Sequence, residues 1–146
     1  MERVRAVRGA VLIGENTAAA IEEGTAHMMR RLMETNGLKE ERLVSVQFTV
    51  TGDLTAANPA TAFRHLGYSR TPLFCSLEPS FDGAMKGVVR VLVTAFADGE
   101  RELQPVYVQG AEKLRPDVAG TGGSHSGTGG GGNKSNASSG PGGGGA

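Results

Sequence analysis

An abrupt change of composition at residue 120 is the feature that most constrains what this chain can fold into. The chain has 23 glycines, and 13 of them lie in its last 27 positions, residues 120–146. That segment holds no aromatic residue, only two alanines as apolar residues, and one formal charge at Lys134. It would bury too little apolar surface to offset the entropy lost on ordering, so we expect a disordered Gly/Ser-rich tail.

The remaining segment, residues 1–119, has the composition of one globular domain. It contains 10 of the glycines, and roughly 45% of its residues are apolar. It contains 14 Lys and Arg residues and 15 Asp and Glu residues, which gives a formal net charge of −1. Because no overall positive field favours a polyanion, we expect neither nucleic acid nor an anionic membrane as a partner.

Cysteine, histidine and apolar-run patterns exclude several other classes of protein. Cys75 is the single cysteine, so an intrachain disulfide is excluded and a cytoplasmic location is expected. The three histidines, His27, His65 and His125, have no metal-ligand spacing, so we predict no metal site. The apolar runs are strand-sized, well below the ~20 residues of a membrane-spanning helix. The charged start also lacks the apolar core of a signal peptide.

Hydrophobic periodicity predicts elements in the order β-α-β-α-β-β-β. The predicted strands are residues 4–13, 43–50, 72–76, 87–96 and 106–108. The predicted helices are a long one between the caps Asn16-Thr17 and Asn36-Gly37 and a short one between Asn58-Pro59 and Leu66-Gly67. Gly9 predicts a bulge or a close backbone approach in the first strand, and Gly24 predicts a close neighbour of the long helix.

This order favours an α+β fold, in which a mixed β-sheet carries one long and one short helix on one face. Such a small domain has many strands and few helices. Its sheet edges or its second face would be poorly covered, so we expect the chain to form oligomers.

Arginines in apolar contexts are the main candidates for function. Arg90 interrupts the apolar run Val88–Val93, where a partly desolvated guanidinium costs several kcal/mol unless an acid or an anionic ligand pairs with it. The alternative is an edge-strand arginine that reaches solvent. Arg8 and Arg115 lie in similar contexts. Three such arginines, in a chain that has no overall excess of positive charge, would suit a small dicarboxylate, because the guanidinium binds carboxylates bidentately.

The other candidate groups narrow the type of chemistry. Glu78 follows a predicted strand and is the natural acidic partner of an arginine, although a solvated loop carboxylate is the commoner case. Cys75 has no base near it in sequence, so a thiolate nucleophile is unsupported, and the alternative is a small buried apolar residue. The chain has no phosphate-binding loop, dinucleotide fingerprint or nucleophile elbow. We therefore expect no cofactor and chemistry by positioning and electrostatic stabilisation.

Six segments in order resemble the monofunctional AroH-type chorismate mutases, and the resemblance covers residues 4–118. The segments are Val4-Arg-Ala-Val-Arg-Gly-Ala, Thr49-Val-Thr-Gly-Asp-Leu, Asn58-Pro-Ala-Thr-Ala-Phe-Arg, Pro72-Leu-Phe-Cys-Ser-Leu-Glu, Val89-Arg-Val-Leu, and Val106-Tyr-Val-Gln-Gly-Ala followed by Leu114-Arg-Pro-Asp. The resemblance implies a homotrimeric pseudo-barrel of the Bacillus-type chorismate mutase fold, with active sites between subunits. It also implies an isomerase of aromatic amino acid biosynthesis that converts chorismate to prephenate without a cofactor.

The resemblance also implies roles for individual residues. Arg90 would place its cation at the ether oxygen of the substrate, where negative charge develops in the transition state. Arg8 and Tyr107 would hold a carboxylate or the ether bridge, while Glu78 and the region of Cys75 would take the ring hydroxyl. The further substrate-binding residues would be Phe74 in that region, Asn58 and Thr61 in the short-helix segment, and Arg64, Leu114 and Arg115, the last three closing the cleft of a neighbouring subunit.

Three positions differ from the usual pattern of that family. Asn58 stands where the family usually has phenylalanine, Thr61 where it has lysine, and Gly52 where it has proline. Two alternatives therefore stay open at this stage. One is an enzyme of secondary metabolism that acts on a chorismate-like dicarboxylate, and the other is a non-catalytic trimeric module that binds a small molecule.

Overall fold

A computed structural model describes residues 1–119, and the tail predicted for residues 120–146 lies outside the described residues. The strands are β1 Glu2–Leu12, β2 Leu43–Val50, β3 Leu73–Leu77, β4 Val88–Asp98 and β5 Val106–Val108. The helices are α1 Ala18–Asn36, α2 Pro59–His65 and the four-residue α3 Pro116–Ala119, with 3-10 turns at Glu40–Arg42 and Ala111–Leu114. The predicted order β-α-β-α-β-β-β is confirmed, and α3 and the two 3-10 turns are additional.

Within residues 1–119 the strands form one mixed sheet in the order β3-β2-β4-β1-β5. The central strand β4 is antiparallel to both of its neighbours, β1 and β2. The outer pairs, β1 with β5 and β2 with β3, are parallel. The mixed sheet predicted from the sequence is therefore confirmed.

The two helix starts follow the capping residues seen in the sequence. The Thr17 hydroxyl accepts a hydrogen bond from the Ala20 amide at 3.1 Å, and Gly37 ends α1 with a φ of 59°. In α2 the Asn58 side-chain oxygen accepts from the Ala60 amide at 2.9 Å, and proline occupies the first turn. These contacts satisfy amide groups that have no partner inside the helix.

Two glycines allow close packing between layers. A Cβ on Gly24 would lie 2.4 Å from the Ile13 Cδ1, which confirms the predicted close neighbour of α1. A Cβ on Gly9 would lie 2.9 Å from the Val91 Cγ1 and 3.1 Å from the Leu32 Cδ1. The predicted close approach at Gly9 is thus confirmed, but the alternative of a bulge is wrong because β1 pairs with β4 in unbroken register.

Both α1 and α2 pack on one face of the sheet, as predicted. Their side chains share a core cluster with alternate residues of the strands, among them Val7, Val46, Phe48, Val91 and Val93. In β4 these residues alternate with exposed ones, including Leu92 and Phe96. The second face, which we call the open face, is therefore without a helical layer in the described part of the chain.

Candidate active site

One row of side chains crosses the open face from β5 to β3. Register places Tyr107 opposite Ala10, Ala10 opposite Arg90, Arg90 opposite Thr49, and Thr49 opposite Ser76. Residues directly opposite each other in neighbouring strands share a face and lie about 5 Å apart. The row therefore brings a phenol, a guanidinium and two hydroxyl groups to the middle of this face, with the small Ala10 between the first two.

A second row lies next to it on the same face. Arg8 of β1 is opposite Leu92 of β4, which is opposite Gln47 of β2, which is opposite Phe74 of β3. Two positively charged side chains, Arg8 and Arg90, thus flank an apolar floor at Leu92. This arrangement suits an anion that also has an apolar body.

The two rows line a cleft of about 380 Å³. This volume lies within the range of roughly 300 to 1,000 Å³ that small-molecule sites occupy. The residues that line the cleft are Arg8, Gly9, Ala10, Gln47, Phe48, Thr49, Phe74, Ser76, Glu78, Arg90, Val91, Leu92 and Tyr107. Sequence reasoning named Arg8, Phe74, Glu78, Arg90 and Tyr107 separately, and the fold brings all five together.

Arg90 and Glu78 form an ion pair at the edge of the cleft. The Arg90 Nε lies 3.2 Å from the Glu78 Oε1, and their side chains are 47% and 23% exposed. The two terminal nitrogens of Arg90 have no partner among the described residues, so they can donate to a ligand. The edge-strand part of the alternative is wrong, because β4 is the central strand of the sheet, but the guanidinium does reach solvent.

The structure does not bring the Cys75 side chain to this cleft. Cys75 is opposite Phe48 in the register of β3 with β2, and it packs against the core cluster under the helices. Burial raises the pKa of its thiol. The Cys75 thiol therefore does not line this cleft, and a role of Cys75 in catalysis stays a prediction. The reason is the period-two alternation of β3, which directs Phe74 and Ser76 to the cleft and the intervening side chain to the core.

Asn58, Thr61 and Arg64 do not line the cleft of their own chain either. All three belong to the α2 segment, which packs on the helical side of the sheet. The Asn58 side chain caps α2, and Arg64 is exposed. Contact of these residues with a substrate would require a second subunit.

Leu114 and Arg115 lie beside the cleft of their own chain, whereas the resemblance assigns them to a neighbour's cleft. Leu114 packs against a small apolar cluster that includes Ala10 and Tyr107. Arg115 lines an adjoining hollow of about 280 Å³ together with Arg8, Leu92 and Tyr107. Its guanidinium also pairs with Asp117 at 2.9 Å. The last described turns of the chain therefore contribute to this side of the open face.

Gln47, Thr49 and Ser76 line the cleft but were not selected from the sequence. Gln47 and Thr49 belong to the polar face of the β2 alternation, which resembles an ordinary solvent-facing strand surface. The Thr49 hydroxyl is buried and has no hydrogen-bond partner in the described part of the chain. Only the register of the strands, which places Thr49 opposite Arg90, Gln47 opposite Leu92 and Ser76 opposite Thr49, reveals their proximity to the site.

Residues 1–119 contain neither a cluster of metal ligands nor a membrane-spanning helix. No group of three or more His, Cys, Asp or Glu side chains there could hold a metal ion. No helix in that range is both long enough and apolar enough to cross a membrane.

Comparison with known proteins gives consistent matches over the same part of the chain. Chorismate mutase AroH of Thermus thermophilus is 39% identical over 117 residues, covering 79% of this chain and 96% of that protein. Chorismate mutase AroH of Bacillus subtilis (strain 168) is 32% identical over 118 residues, covering 80% and 93%. A solved structure, the chorismate mutase Cth-682 from Clostridium thermocellum, matches with a TM-score of 0.72 and 37% identity, covering 75% of this chain and 98% of that one.

The family model for chorismate mutase type I matches residues 4–118, a range that holds both main helices, the cleft residues and all of the sheet except the first two residues of β1. The chain therefore belongs to the chorismate mutase type I family, a family of isomerases.

Proposed function

We propose that this chain converts chorismate to prephenate in the open-face cleft, as a step of aromatic amino acid biosynthesis. The observation that carries the proposal is the Arg90–Glu78 ion pair in the lining of a cleft that Arg8 and Tyr107 also line. The names of its relatives support chorismate as the substrate.

The reaction breaks an ether C–O bond while it forms a C–C bond within one molecule, so no proton or electron leaves the substrate. Negative charge develops on the ether oxygen as the C–O bond breaks. A cation fixed at that oxygen stabilises the transition state more than the ground state. The Arg90 nitrogens not used by Glu78 are suited to this task, because Glu78 holds the guanidinium at its Nε.

The remaining cleft residues would hold the dianion in its reactive conformation. Arg8 and Tyr107 would bind one carboxylate, with Arg115 contributing charge from the adjoining hollow. Glu78 retains acceptor capacity for the ring hydroxyl. Leu92 and Phe74 offer apolar contact to the carbon skeleton. Holding the two reacting carbons together removes much of the entropic barrier.

We further propose that the active unit is a homotrimer whose open faces pack together. The open face exposes apolar side chains that a monomer would leave in water, including Val4, Leu92 and Phe96. In such an assembly Asn58, Thr61 and Arg64, which are remote from the cleft of their own chain, could close a neighbour's cleft. A role for the main chain of Cys75 at a neighbouring subunit stays a prediction. Its main chain lies on β3, the edge strand, and could face a neighbour even though its thiol does not face the cleft.

A direct assay tests the proposed reaction. Purified protein is mixed with chorismate, and the loss of chorismate and the appearance of prephenate are followed together. We expect turnover with both compounds changing in equal amounts. Binding of chorismate, seen as a thermal shift, without any product would instead favour a non-catalytic binding module. No binding and no turnover over a wide chorismate range would overturn the proposal.

A further inference from the structure

The entry into β4 decides where Arg90 lies, because Arg90 follows Gly87 by three residues. Gly87 has a φ of 68°, in the left-handed region that favours glycine. Its carbonyl accepts from the Ile13 amide at 2.6 Å. A Cβ at this position would lie 2.8 Å from the Ile13 oxygen. The chain therefore enters the central strand through a tightly packed turn.

Two side chains of the loop after β2 hold this turn. The Asp53 Oδ1 accepts from the Gly87 amide at 3.2 Å. The Thr51 hydroxyl accepts from the Val88 amide at 3.0 Å, and the Thr51 amide donates to the Val88 carbonyl at 3.1 Å. The end of β2 and the start of β4 are thus joined by contacts that continue the ladder beyond the last paired residues.

Asp53 and Thr51 also contact each other. Burial opposes ionisation of Asp53, but hydrogen bonds from the Thr51 hydroxyl and the Gly87 amide outweigh it and lower the pKa of the carboxyl group. The carboxylate is the form that accepts both bonds. It therefore stays charged and able to hold the turn at neutral pH.

The same contacts set the relation of Arg90 to Glu78. Residues 79–86 connect Glu78 to Gly87, which leads into Arg90 three residues later, and this loop is fixed at both ends. At its start the Glu78 amide donates to the Val50 carbonyl at 2.8 Å, and at its end Asp53 holds Gly87. Asp53 also borders a hollow of about 840 Å³ that the loop shares with Glu78 and Arg90.

We infer that Asp53, acting with Thr51, is a positioning residue that sets Arg90 at its place opposite Thr49 and within reach of Glu78. Asp53 does not line the 380 Å³ cleft, so it acts on the reaction through the turn and not by contact with substrate. This inference rests on the proposed function. A displacement of about 1 Å in a stabilising group can lower turnover by up to about 100-fold.

The test compares Asp53→Ala with Asp53→Asn, which keeps an oxygen acceptor for the Gly87 amide. Turnover by the wild-type protein, measured in the same chorismate assay, establishes the proposed function first. For Asp53→Ala we expect kcat to fall about tenfold or more with KM changed by less than about threefold, because a misplaced cation weakens transition-state stabilisation. Asp53→Asn should stay within about threefold of wild type in both constants.

Thr17→Ala is the matched control. It also removes a side-chain acceptor from a main-chain amide, at the start of α1 on the opposite side of the sheet. We expect Thr17→Ala to lose stability, as Asp53→Ala does, but to keep the kcat of the wild type. A kcat for Asp53→Ala equal to that of wild type, or an equal loss in Thr17→Ala, would overturn the inference.

A second measurement keeps the test independent of turnover. The Arg90 Nε–H group is paired with the Glu78 carboxylate, with 3.2 Å between the Nε and the Oε1, and its NMR signal is assigned by its disappearance in Arg90→Lys. Asp53→Ala should speed its exchange with water at least about tenfold, whereas Asp53→Asn and Thr17→Ala should not. If Asp53→Ala does not fold, Thr51→Val against Thr51→Ser tests the same turn. An unchanged exchange rate in Asp53→Ala would overturn the inference, and so would an unchanged rate in Thr51→Val if that variant is used instead. This holds even if the wild-type protein is inert towards chorismate.

Discussion

Arg90 combines a fixed position with unused hydrogen-bonding capacity. Its Nε is occupied by Glu78, while its terminal nitrogens have no partner among residues 1–119. Its backbone is in the central strand of the sheet, so the point from which the side chain extends is fixed. These are the properties expected of a preorganised donor to a developing negative charge.

At the residue scale, Arg90→Ala should lower kcat by about 100- to 1,000-fold, which corresponds to roughly 3 to 4 kcal/mol for the loss of such a donor. Arg90→Lys should fall between Ala and wild type, because it keeps the charge but loses the planar fork. Chorismate consumption gives kcat, and thermal unfolding checks the fold. Because the Arg90 side chain is half exposed, the midpoint of thermal unfolding should stay within a few degrees of that of the wild type. Full turnover in Arg90→Ala would contradict the assignment.

Cys75→Ala gives the opposite expectation at the same scale. The thiol lies against the core on the face away from the cleft, so kcat and KM should stay within about twofold of wild type. Stability should fall by about 1 kcal/mol or less, because only one sulfur atom leaves a half-buried site. Steady-state kinetics and urea unfolding measure the two effects. A large loss of kcat in a folded variant would contradict this expectation and show that the thiol takes part in turnover.

At the scale of elements, the start of β3 depends on a single carboxylate. The Glu40 Oε1 accepts from the Arg70 amide at 2.7 Å, from the Thr71 amide at 3.1 Å and from the Thr71 hydroxyl at 3.3 Å. The Arg70 amide is the largest of the contributions that lower the pKa of Glu40, against a smaller opposing effect of burial. These bonds fix the turn that leads into the strand carrying Phe74 and Ser76.

This contact predicts a pH dependence. Because the pKa of Glu40 is lower in the folded state, its contribution to stability is present above its usual value of about 4.5 and is lost as the pH falls through the folded-state pKa. The difference in unfolding free energy between wild type and Glu40→Gln should therefore shrink as the pH falls from about 7 to about 3. Urea unfolding across this range measures it.

Glu41→Gln is the control for that experiment, because Glu41 is exposed and makes no such contacts in the described part of the chain. The wild type and this variant should differ little at any pH. A difference for Glu40→Gln that stays constant with pH would show that the carboxylate charge has no part in holding the turn.

The elements themselves were largely predictable from local patterns. Thr17, Gly37 and Asn58 act within a few residues of themselves, so their sequence positions are sufficient to place the helix ends. The positions of the strands followed from period-two alternation in the same way. The contacts of Asp53 with Gly87 and of Glu40 with Arg70 were not predictable, because no local pattern links residues about 30 positions apart.

At the scale of the whole molecule, the open face is the main feature without a partner. Val4 and Phe96 are directly opposite each other on it and are 57% and 40% exposed. They lie four residues along their strands from Arg8 and Leu92 of the cleft. Water-exposed apolar pairs of this kind favour association, since their burial would gain about 25 cal/mol for each Å².

Phe96→Asp should therefore separate the subunits and lower turnover at least tenfold, because the cleft would lose its neighbour while the fold of each chain persists. Light scattering on a sizing column gives the mass, and the chorismate assay gives the activity. Arg31→Glu, an equally drastic change on the exposed side of α1, should alter neither. A Phe96→Asp protein with unchanged mass and activity would contradict the trimer proposal.

By itself, the sequence determined the order of the elements, their caps and the placement of helices on one face, because these depend on local propensity and on periodicity. It also singled out Arg8, Glu78, Arg90 and Tyr107 through their residue types and their resemblance to a family. Only the tertiary structure decided that β4 is central, that the Cys75 thiol faces the core, and that Thr49 and Gln47 join the cleft. The physical reason is strand register, since the pairing of distant strands determines which side chains meet and on which face.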